Sequence, residues 1–418
     1  MAATAVDNLA EILVKRYEKL DERQMYKAAP LLAMLAKDNK FDGESMYIPI
    51  RYTNEPGGSA TFDKALANRG PAGFKRFEIT RRRDYVISSI ESEMFRAAKS
   101  AGSGGAVVAV ADAVLNGMRN TAKRSLCRSL YGNAGGARGR IASGHGSDTI
   151  VLLNKEDIVF FEPGMKLDGA TTDGTSGSVI VGGAAAKIVS VDSEAGSITN
   201  DASANWNAGT GINGIAANDY LFRQGDFGLV MQGLGAWIPP IVTSTTFNGV
   251  NRTLHKERLG GCRITPSTEG FEYTTIEDAC LAILERVWRA GGSPDNIFMH
   301  PKRYRRLIKE LGSRKTYTDV KTDVGVGFRG VIIEGQGGPC TVISDPNCDR
   351  DTLWALTMDT WKLHTLGDLM GIQNDDGNGP WVREGDADAL QTRMVTYGNL
   401  SCDAPGLNGR ADLTGIGS

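Results

Sequence analysis

Residues that build metal, redox and acid–base sites are scarce in this sequence of 418 residues. It has six cysteines without a C-x-x-C pair, and four histidines without a helical i, i+4 pair. The cysteine spacing fits neither a zinc site nor a dense disulfide framework. It favours reduced, mostly buried thiols. We therefore expect no metal, and a histidine-based catalytic site has little support.

Long apolar runs and a strong net charge are also missing. No stretch approaches the roughly 18 apolar residues that cross a bilayer, and the formal net charge is −2. The first 20 residues are charged and follow a helical spacing. They lack the apolar core and cleavage site of a secretory signal. We expect synthesis in the cytoplasm and no membrane role, so any nucleic-acid contact must come from local clusters of charge.

Known cofactor motifs occur only in fragments. Two G-x-G-x-x-G patterns begin at Gly209 and Gly325, but neither lies between a strand and a helix as a dinucleotide site requires. A pattern similar to a calcium loop begins at Asn374, yet its twelfth position is Gly385, where a bidentate glutamate belongs. The sequence has no phosphate loop, H-E-x-x-H or G-x-S-x-G motif. We expect no cofactor and no catalytic residue.

Apolar residues that alternate with polar ones predict a long hairpin in the N-terminal part of the chain. The alternation covers residues 46–52, stops in a turn-rich stretch at 55–73 and resumes over 77–87. Pro49 cannot donate to a ladder, so the first strand should have one unpaired edge. A two-stranded ribbon is marginal alone in water. We expect it to lean on a neighbouring subunit or, alternatively, to pack on its own domain.

Helical periodicity is strongest over residues 105–131, where apolar residues recur at spacings of three and four. Residues 141–225 are rich in Gly, Ser, Thr and Asn, which predicts short strands and turns.

The C-terminal half predicts a mixed α/β lobe. A capping box at Thr274 opens a helix over 276–290, and a short strand leads to a second helix that begins near Pro301 with His300 at its start. Several short strands follow, and period-two alternation returns over residues 391–401.

Positive charge is concentrated in one part of the chain. Residues 75–140 contain 13 basic and five acidic residues, a net charge of +8. Such a cluster can face a polyanion, pair with acidic patches of another subunit, or simply be a solvated helix face.

The order of these elements resembles the major capsid proteins of tailed bacteriophages of the Hong Kong 97 type. Local phrases are similar too: GLGAWIPP at 233–240, the helix–strand–helix at 278–311, and MVTYGNLSCDAPGLNGRADL at 394–413. The resemblance implies an α+β Hong Kong 97-type capsid fold with an N-terminal arm, an extended hairpin loop, a long spine helix, a peripheral β-rich domain and an α/β axial domain.

The same resemblance implies a division of the chain into seven segments. They are an N-terminal arm (1–44), the extended hairpin loop (45–90), the spine helix and peripheral domain (91–168), an inserted small β-domain (169–225), a peripheral-to-axial connection (226–250), the axial α/β domain (251–358), and a return to the peripheral domain with the C-terminal strand (359–418).

Two sets of contact residues follow from the resemblance. Candidates for extended-loop contacts between subunits are Tyr47, Ile48, Arg51, Phe62, Lys64, Arg81, Arg82 and Arg83. Candidates for DNA-facing or intersubunit basic residues are Arg96, Lys99, Arg119, Lys123, Arg124 and Arg128.

The implied function is that of a structural subunit and not of an enzyme. Copies would assemble as pentamers and hexamers into the icosahedral head of a tailed double-stranded-DNA phage, in the bacterial host cytoplasm. Partners would be a portal protein, a decoration protein, packaged double-stranded DNA on the inner face and a separate scaffolding protein, since the N-terminal region is too short for a built-in scaffold. The alternatives are an encapsulin-like shell around protein cargo, which a basic inner face would argue against, and an enzyme with an unrecognised loop-based site.

Overall fold

The computed structural model describes residues 29–41, 43–93, 104–180, 186–200, 205–208, 211–312, 316–321, 327–373 and 381–416. At residues 104–113, 319–321 and 327–329 it describes the backbone alone. The predicted N-terminal helix, the calcium-like pattern at Asn374 and the candidates Arg96 and Lys99 lie outside this part of the chain.

The elements mix helices and strands, so the predicted α+β class is confirmed. The helices are α1 Pro30–Met34, α2 Phe62–Ala67, α3 Gly104–Tyr131, α4 Leu234–Trp237, α5 Lys256–Gly260, α6 Ile276–Arg289 and α7 Pro301–Leu311. The strands are β1 Ala36–Asp38, β2 Ser45–Thr53, β3 Gly73–Thr80, β4 Arg82–Glu91, β5 Ala137–Ser143, β6 Thr149–Leu152, β7 Lys166–Ala170, β8 Ala186–Asp192, β9 Ser197–Asn200, β10 Tyr220–Arg223, β11 Thr246–Phe247, β12 Val250–Asn251, β13 Cys262–Ile264, β14 Asn296–Met299, β15 Thr316–Lys321, β16 Gly327–Gly335, β17 Gly338–Ser344, β18 Thr352–Leu356, β19 Trp361–Thr365, β20 Gly371–Ile372, β21 Val382–Arg383, β22 Ala389–Cys402 and β23 Gly409–Asp412.

Contacts divide the chain into two compact units, residues 1–128 with 240–418, and residues 129–239. The first unit contains a seven-stranded sheet in the order β13-β23-β18-β14-β17-β16-β15. Helices α6 and α7 share a buried apolar cluster with this sheet, including Ile283, Leu307 and Val342. The predicted helix–strand–helix order of the C-terminal half is therefore confirmed.

The start of α6 differs from the prediction by one residue. Thr275, and not Thr274, is the N-cap, and its side chain accepts a hydrogen bond from the backbone N–H of Asp278. Glu310 of α7 caps the same helix end from outside. Its carboxylate accepts from the first two helical N–H groups, of Ile276 and Glu277, at 2.9 and 3.2 Å. A cap supplied by another helix leaves no local sequence pattern. His300 caps α7 through Nδ1, as expected of a helix-start residue.

Acidic residues in the connection between β17 and β18 join distant parts of the first unit. We call residues 345–351 the acidic turn. Asp345 is buried, and its carboxylate accepts from the N–H of Leu31 in the first turn of α1 at 3.4 Å and from the N–H of Asn347 at 2.9 Å. Asp349 forms an ion pair with Arg128 of α3. The acidic turn therefore holds both α1 and the long helix.

A third carboxylate of the acidic turn binds a buried arginine. Asp351 lies 2.5 Å from Arg303 of α7, whose side chain is almost fully buried. Arg303 also donates to the carbonyl oxygens of Leu413, at 3.0 Å, and Ile416. This guanidinium thus joins α7 to the C-terminal segment.

The predicted hairpin changes partner half-way along its second strand. Among the described strands, β2 pairs with β3 alone, which confirms the unpaired edge that Pro49 predicts. After Arg81 the chain leaves this ribbon, and β4 pairs with residues 389–398 of β22 in a six-stranded sheet. The hairpin therefore covers 45–80 and not 45–90. The alternation continues through Arg81, so a period-two pattern cannot show the change of partner.

The second unit contains a closed six-stranded barrel in the order β10-β5-β6-β9-β8-β7. Its core includes Trp206, whose indole N–H donates to the carbonyl oxygen of Asp148 at 2.8 Å. The sequence predicted an inserted β-domain at 169–225, but the barrel already begins with β5 at Ala137. β5 closes the barrel by pairing with β10, a long-range contact that composition does not reveal.

A buried histidine marks the point where β1 joins the six-stranded sheet through β19. His364 Nδ1 lies 3.3 Å from the Asp38 carboxylate, and Nε2 lies 2.9 Å from the Ser401 hydroxyl. Burial lowers the pKa of His364 from its ordinary value of 6.5, and the charges of Asp38 and Asp403 partly oppose this shift.

The lowered pKa predicts that acid weakens this junction. As the pH falls below the unfolded value of 6.5, the unfolded chain takes up the proton first, so the free energy of unfolding decreases. Denaturant unfolding at about pH 7.5 and about pH 5.5 measures the decrease. We expect a smaller decrease in His364→Gln, which cannot titrate, and equal decreases in both proteins would contradict the assignment.

Because Arg303 is buried and charged, we expect its replacement by an uncharged residue to cause a large loss of stability. Arg303→Met removes a buried guanidinium that donates to Asp351 and to two carbonyl oxygens, and we expect it to lower the free energy of unfolding by about 3 kcal/mol. The matched control is Arg306→Met on the same helix. The Arg306 side chain pairs with Glu310 and is about half exposed. This control should cost less than about 1 kcal/mol. Equal losses in urea unfolding would show that Arg303 does not carry this junction.

Candidate intersubunit surface

The β2–β3 ribbon has one face that packs on its own chain. Ile48 and Phe77 are cross-strand partners, 7% and 0% exposed. The Phe77 ring meets Phe247 edge-to-face at 6.1 Å, and the N–H of Glu78 donates to the carbonyl oxygen of Asn248 at 2.9 Å. The alternative expectation, that the hairpin packs on its own domain, is therefore correct for this face. Ile48 was a candidate for contacts between subunits, but its side chain belongs to the chain's own core.

The opposite face of the ribbon is exposed and combines aromatic rings with arginines. The Arg76 guanidinium lies 4.6 Å from the centre of the Tyr47 ring, and Arg51 lies 6.0 Å from Phe74. Arg51 also forms an exposed ion pair with Glu55. Such faces suit protein contacts, because aromatic and arginine side chains are enriched where partners bind. Tyr47 and Arg51 are therefore placed on a surface that a second chain can reach.

A short helix occupies the middle of the loop, where the sequence predicted only turns. In α2, Phe62 is 78% and Leu66 is 48% exposed, and no residue of the helix is buried. Asp63 lies in the first turn, where a negative charge favours a helix. The i, i+4 spacing of Phe62 and Leu66 places both on one side. This helix, with Lys64 exposed on it, thus presents an apolar side that its own chain leaves uncovered.

The three consecutive arginines at the base of the ribbon have different surroundings. Arg81 donates to the carbonyl oxygen of Gly43 at 3.0 Å and lies 5.9 Å from the Tyr397 ring. Arg82 is half-buried, and burial lowers its pKa. Arg83 is exposed. Of the three candidates, Arg83 therefore offers the most accessible charge.

Basic residues of α3 do not form a single stripe. At about 100° per residue, Arg119 and Lys123 lie about 40° apart, whereas Arg128 lies about 180° from Arg119. Burial lowers the pKa of Lys123, partly opposed by Asp345 and the Cys127 thiol. Lys123 and Arg119 are half-buried, and Arg124 is exposed.

The four described basic candidates of α3 differ in how accessible their charges are. Arg128 binds Asp349 of its own chain, so its charge is already paired. Of the four described candidates, Arg124 alone is exposed.

A second exposed surface lies on β4 and β22 and was missing from the predicted contacts. Tyr85 and Ile87 are 47% and 54% exposed, and the hydroxyls of Tyr85 and Tyr397 lie 3.3 Å apart. The alternation of Arg83, Tyr85 and Ile87 was visible in the sequence. Alternation alone assigns these residues to the hairpin. Their pairing with β22 joins residues more than 300 positions apart, and no local pattern indicates it.

Chemical sites are scarce in the described part of the chain. No group of three or more His, Cys, Asp or Glu residues there could hold a metal ion. All six cysteines are free and buried, as the sequence predicted. Burial raises the thiol pKa in each, to about 11 at Cys262. No described helix is long and apolar enough to cross a membrane.

Comparison with known proteins finds similarity to capsid proteins. Residues 218–389 match the family model described as SU10 major capsid protein. No curated protein matches the sequence. The fold is similar to the capsid asymmetric unit of cyanophage A-1(L), with 12% identity, a TM-score of 0.52 and 92% of each chain covered.

Further solved structures are more distant. The SrpI encapsulin of Synechococcus elongatus PCC 7942 is 9% identical, with a TM-score of 0.44 and coverage of 93% of this chain and 90% of the other. Mycobacterium phage Ogopogo gives 13% identity, a TM-score of 0.38 and 91% coverage of each chain. The cyanophage structure shows that the chain has the Hong Kong 97-type capsid fold, and the family match relates residues 218–389 to a major capsid protein family.

The exposed tip helix and the buried face of the ribbon predict different losses of stability when a phenylalanine is removed. Phe62→Ala should change the free energy of unfolding by no more than about 0.5 kcal/mol, since its ring is exposed. Phe77→Ala should lower it by roughly 3–5 kcal/mol, since its ring is buried. Urea unfolding of the unassembled subunit measures both. Similar losses in the two variants would mean that the tip of the loop is covered by its own chain.

Proposed function

We propose that this chain is the shell-forming subunit of a tailed double-stranded-DNA phage and assembles as pentamers and hexamers into an icosahedral head. The observation that carries the proposal is the uncovered tip of the ribbon, in a chain with a capsid fold and a match to a capsid family. Residues 45–80 form the part of the extended loop that reaches a neighbouring subunit, and α3 is the spine helix.

Energetics supports a neighbour at the tip. Fully burying a phenylalanine or leucine side chain contributes about 1.5–3 kcal/mol, and Phe62 and Leu66 leave most of this gain unused in the single chain. A second copy that covers them recovers the gain without new folding. Because each copy in a ring both covers and is covered, the contribution repeats around the shell.

The remaining roles follow from the same proposal. The protein acts in the virion after assembly in the host cytoplasm, and it catalyses no reaction. Its partners are a separate scaffolding protein, a portal protein, a decoration protein and packaged DNA. Arg124 is the basic residue of the spine helix whose exposure best suits contact with DNA or with an acidic patch of another subunit.

Expression of the chain alone and with its genomic neighbours tests the proposal directly. Negative-stain electron microscopy and light scattering should show closed shells, tubes or ring-shaped capsomers. A compact monomer under all conditions would contradict a shell function. Shells that enclose protein cargo and exclude DNA would instead favour an encapsulin-like compartment.

Charge on the apolar side of α2 should block assembly while leaving the subunit folded. We expect Phe62→Asp with Leu66→Asp to reduce the assembled fraction roughly tenfold or more, since about 1.4 kcal/mol per contact already changes an equilibrium tenfold. Lys64→Asp is the matched control and should still assemble, because Lys64 lies about 160° from both Phe62 and Leu66 on the helix and is outside the apolar side that the proposed contact uses. Sedimentation measures assembly, and circular dichroism checks folding. Normal shells from the double variant would exclude the tip as a contact.

A further inference from the structure

The solvent side of α7 carries a stripe of positive charge. Seven of residues 302–315 are basic and one is acidic. Within the helix, the basic side chains that are exposed are Lys302, Arg305, Arg306 and Lys309. At about 100° per residue, these four lie within about 100° of one another. The buried residues Leu307 and Leu311 lie on the opposite side. We call the four exposed residues the basic face.

The single acidic residue of α7 does not neutralise the basic face. One carboxylate oxygen of Glu310 accepts from the N–H groups of Ile276 and Glu277 at the start of α6. The other accepts from Arg306 Nε at 3.1 Å. The charge of Glu310 is thus shared between a helix cap and one arginine, and the basic face keeps an excess of positive charge.

Within a single subunit this arrangement is unfavourable. Lys302 with Arg306, and Arg305 with Lys309, are like-charge pairs at i, i+4, which destabilise a helix. Lys302 also lies in the first turn, which has no acidic residue, and a positive charge is unfavourable at that end of the helix dipole. A surface that serves solubility alone normally mixes both signs. A bound polyanion offsets the repulsion.

The composition of the basic face favours phosphate groups over a protein partner. Protein interfaces are depleted in lysine and centre on apolar side chains. The basic face includes two lysines, and no apolar residue of α7 is exposed beside them. Lysine and arginine contact phosphate oxygens without reading sequence. From Lys302 to Lys309 the stripe runs about 10 Å along the helix, a length over which double-stranded DNA carries about six charges.

The other side of α7 fixes the helix to the first unit. Arg303 binds Asp351 and the C-terminal segment, and Leu307 packs in the apolar cluster of the seven-stranded sheet. A helix held in this way keeps its four exposed charges on one side. Among the described candidates of α3, by comparison, Arg124 alone is exposed. Helix α7 therefore presents the larger basic surface.

We propose that the basic face of α7 contacts the phosphate backbone of packaged double-stranded DNA, without sequence preference. This inference rests on the proposed shell function and names the surface that meets the DNA. The side of the seven-stranded sheet that α7 covers is then turned toward the interior of the head.

DNA binding by the unassembled full chain measures the role of this face. The variant combines Lys302→Gln, Arg305→Gln and Lys309→Gln, and it keeps Arg306 because that residue pairs with Glu310. The probe is a fluorescein-labelled DNA duplex, and anisotropy over a series of salt concentrations gives the affinity. We expect the affinity to fall roughly tenfold or more at low salt, and the slope of log K against log salt to decrease by about 0.9 for each phosphate contact removed. Duplexes of unrelated sequence should behave alike.

The matched control removes the same charge from the barrel. It combines Lys155→Gln, Lys166→Gln and Lys187→Gln, all at exposed positions. The control should keep the affinity and the salt dependence of the unmodified chain, and circular dichroism checks that both variants fold. Equal losses in the two variants, or no loss in either, overturn the inference. A basic-face variant that still binds DNA but no longer binds poly-L-glutamate also overturns it and points to an acidic protein.

Lysine modification in assembled heads tests the contact where it acts. Acetylation with N-hydroxysulfosuccinimide acetate, followed by mass spectrometry, compares empty heads with DNA-filled heads. We expect Lys302 and Lys309 to react several-fold more slowly in filled heads, and Lys155 to react equally in both. Heads that fill with DNA but show equal modification of Lys302 and Lys309 overturn the inference and leave the shell function intact. An unmodified chain that forms no shell or capsomer contradicts the proposed function itself.

Discussion

The acidic turn at 345–351 is the constraint on which the first unit depends. Its three carboxylates hold the first turn of α1, the long helix α3 through Arg128, and α7 through Arg303. Asp345 and Arg303 are buried, and buried charges are costly unless each finds its partner, so the turn specifies one arrangement of segments far apart in sequence. It also pairs the charge of Arg128, one of the basic residues of α3, within the chain.

The hairpin loop buries some of its apolar side chains in its own chain and leaves others exposed. Phe77 and Ile48 anchor the base of the ribbon in the chain's own core, whereas Phe62 and Leu66 remain outside at the tip. In the proposed shell, the buried side chains hold the ribbon on its own subunit and the exposed ones provide a specific apolar surface for assembly. The sheet of β4 and β22 also combines buried and exposed apolar side chains, since Val395 of β22 is buried and its ladder partner Tyr85 of β4 is exposed.

Local patterns predicted much of this structure, and long-range pairing accounts for what they missed. The long helix, the helices near 276 and 301, the final long strand and the burial of the cysteines all follow from periodicity and composition. The N-cap at Thr275, the departure of the chain at Arg81 and the closure of the barrel by β5 depend on Glu310, β22 and β10, which are distant in sequence. The candidate contacts on the ribbon combine exposed Tyr47 and Arg51 with buried Ile48 for the same reason, since alternation separates two faces but does not say which one its own chain covers.

The central claim is that the tip of the ribbon is covered only by another copy. Hydrogen–deuterium exchange of residues 62–67, compared between the unassembled subunit and the assembled shell, tests it most directly. The account predicts fast exchange in the subunit, because a six-residue helix with no buried residue opens readily, and strong protection in the shell. Equal exchange rates in the two states would contradict it.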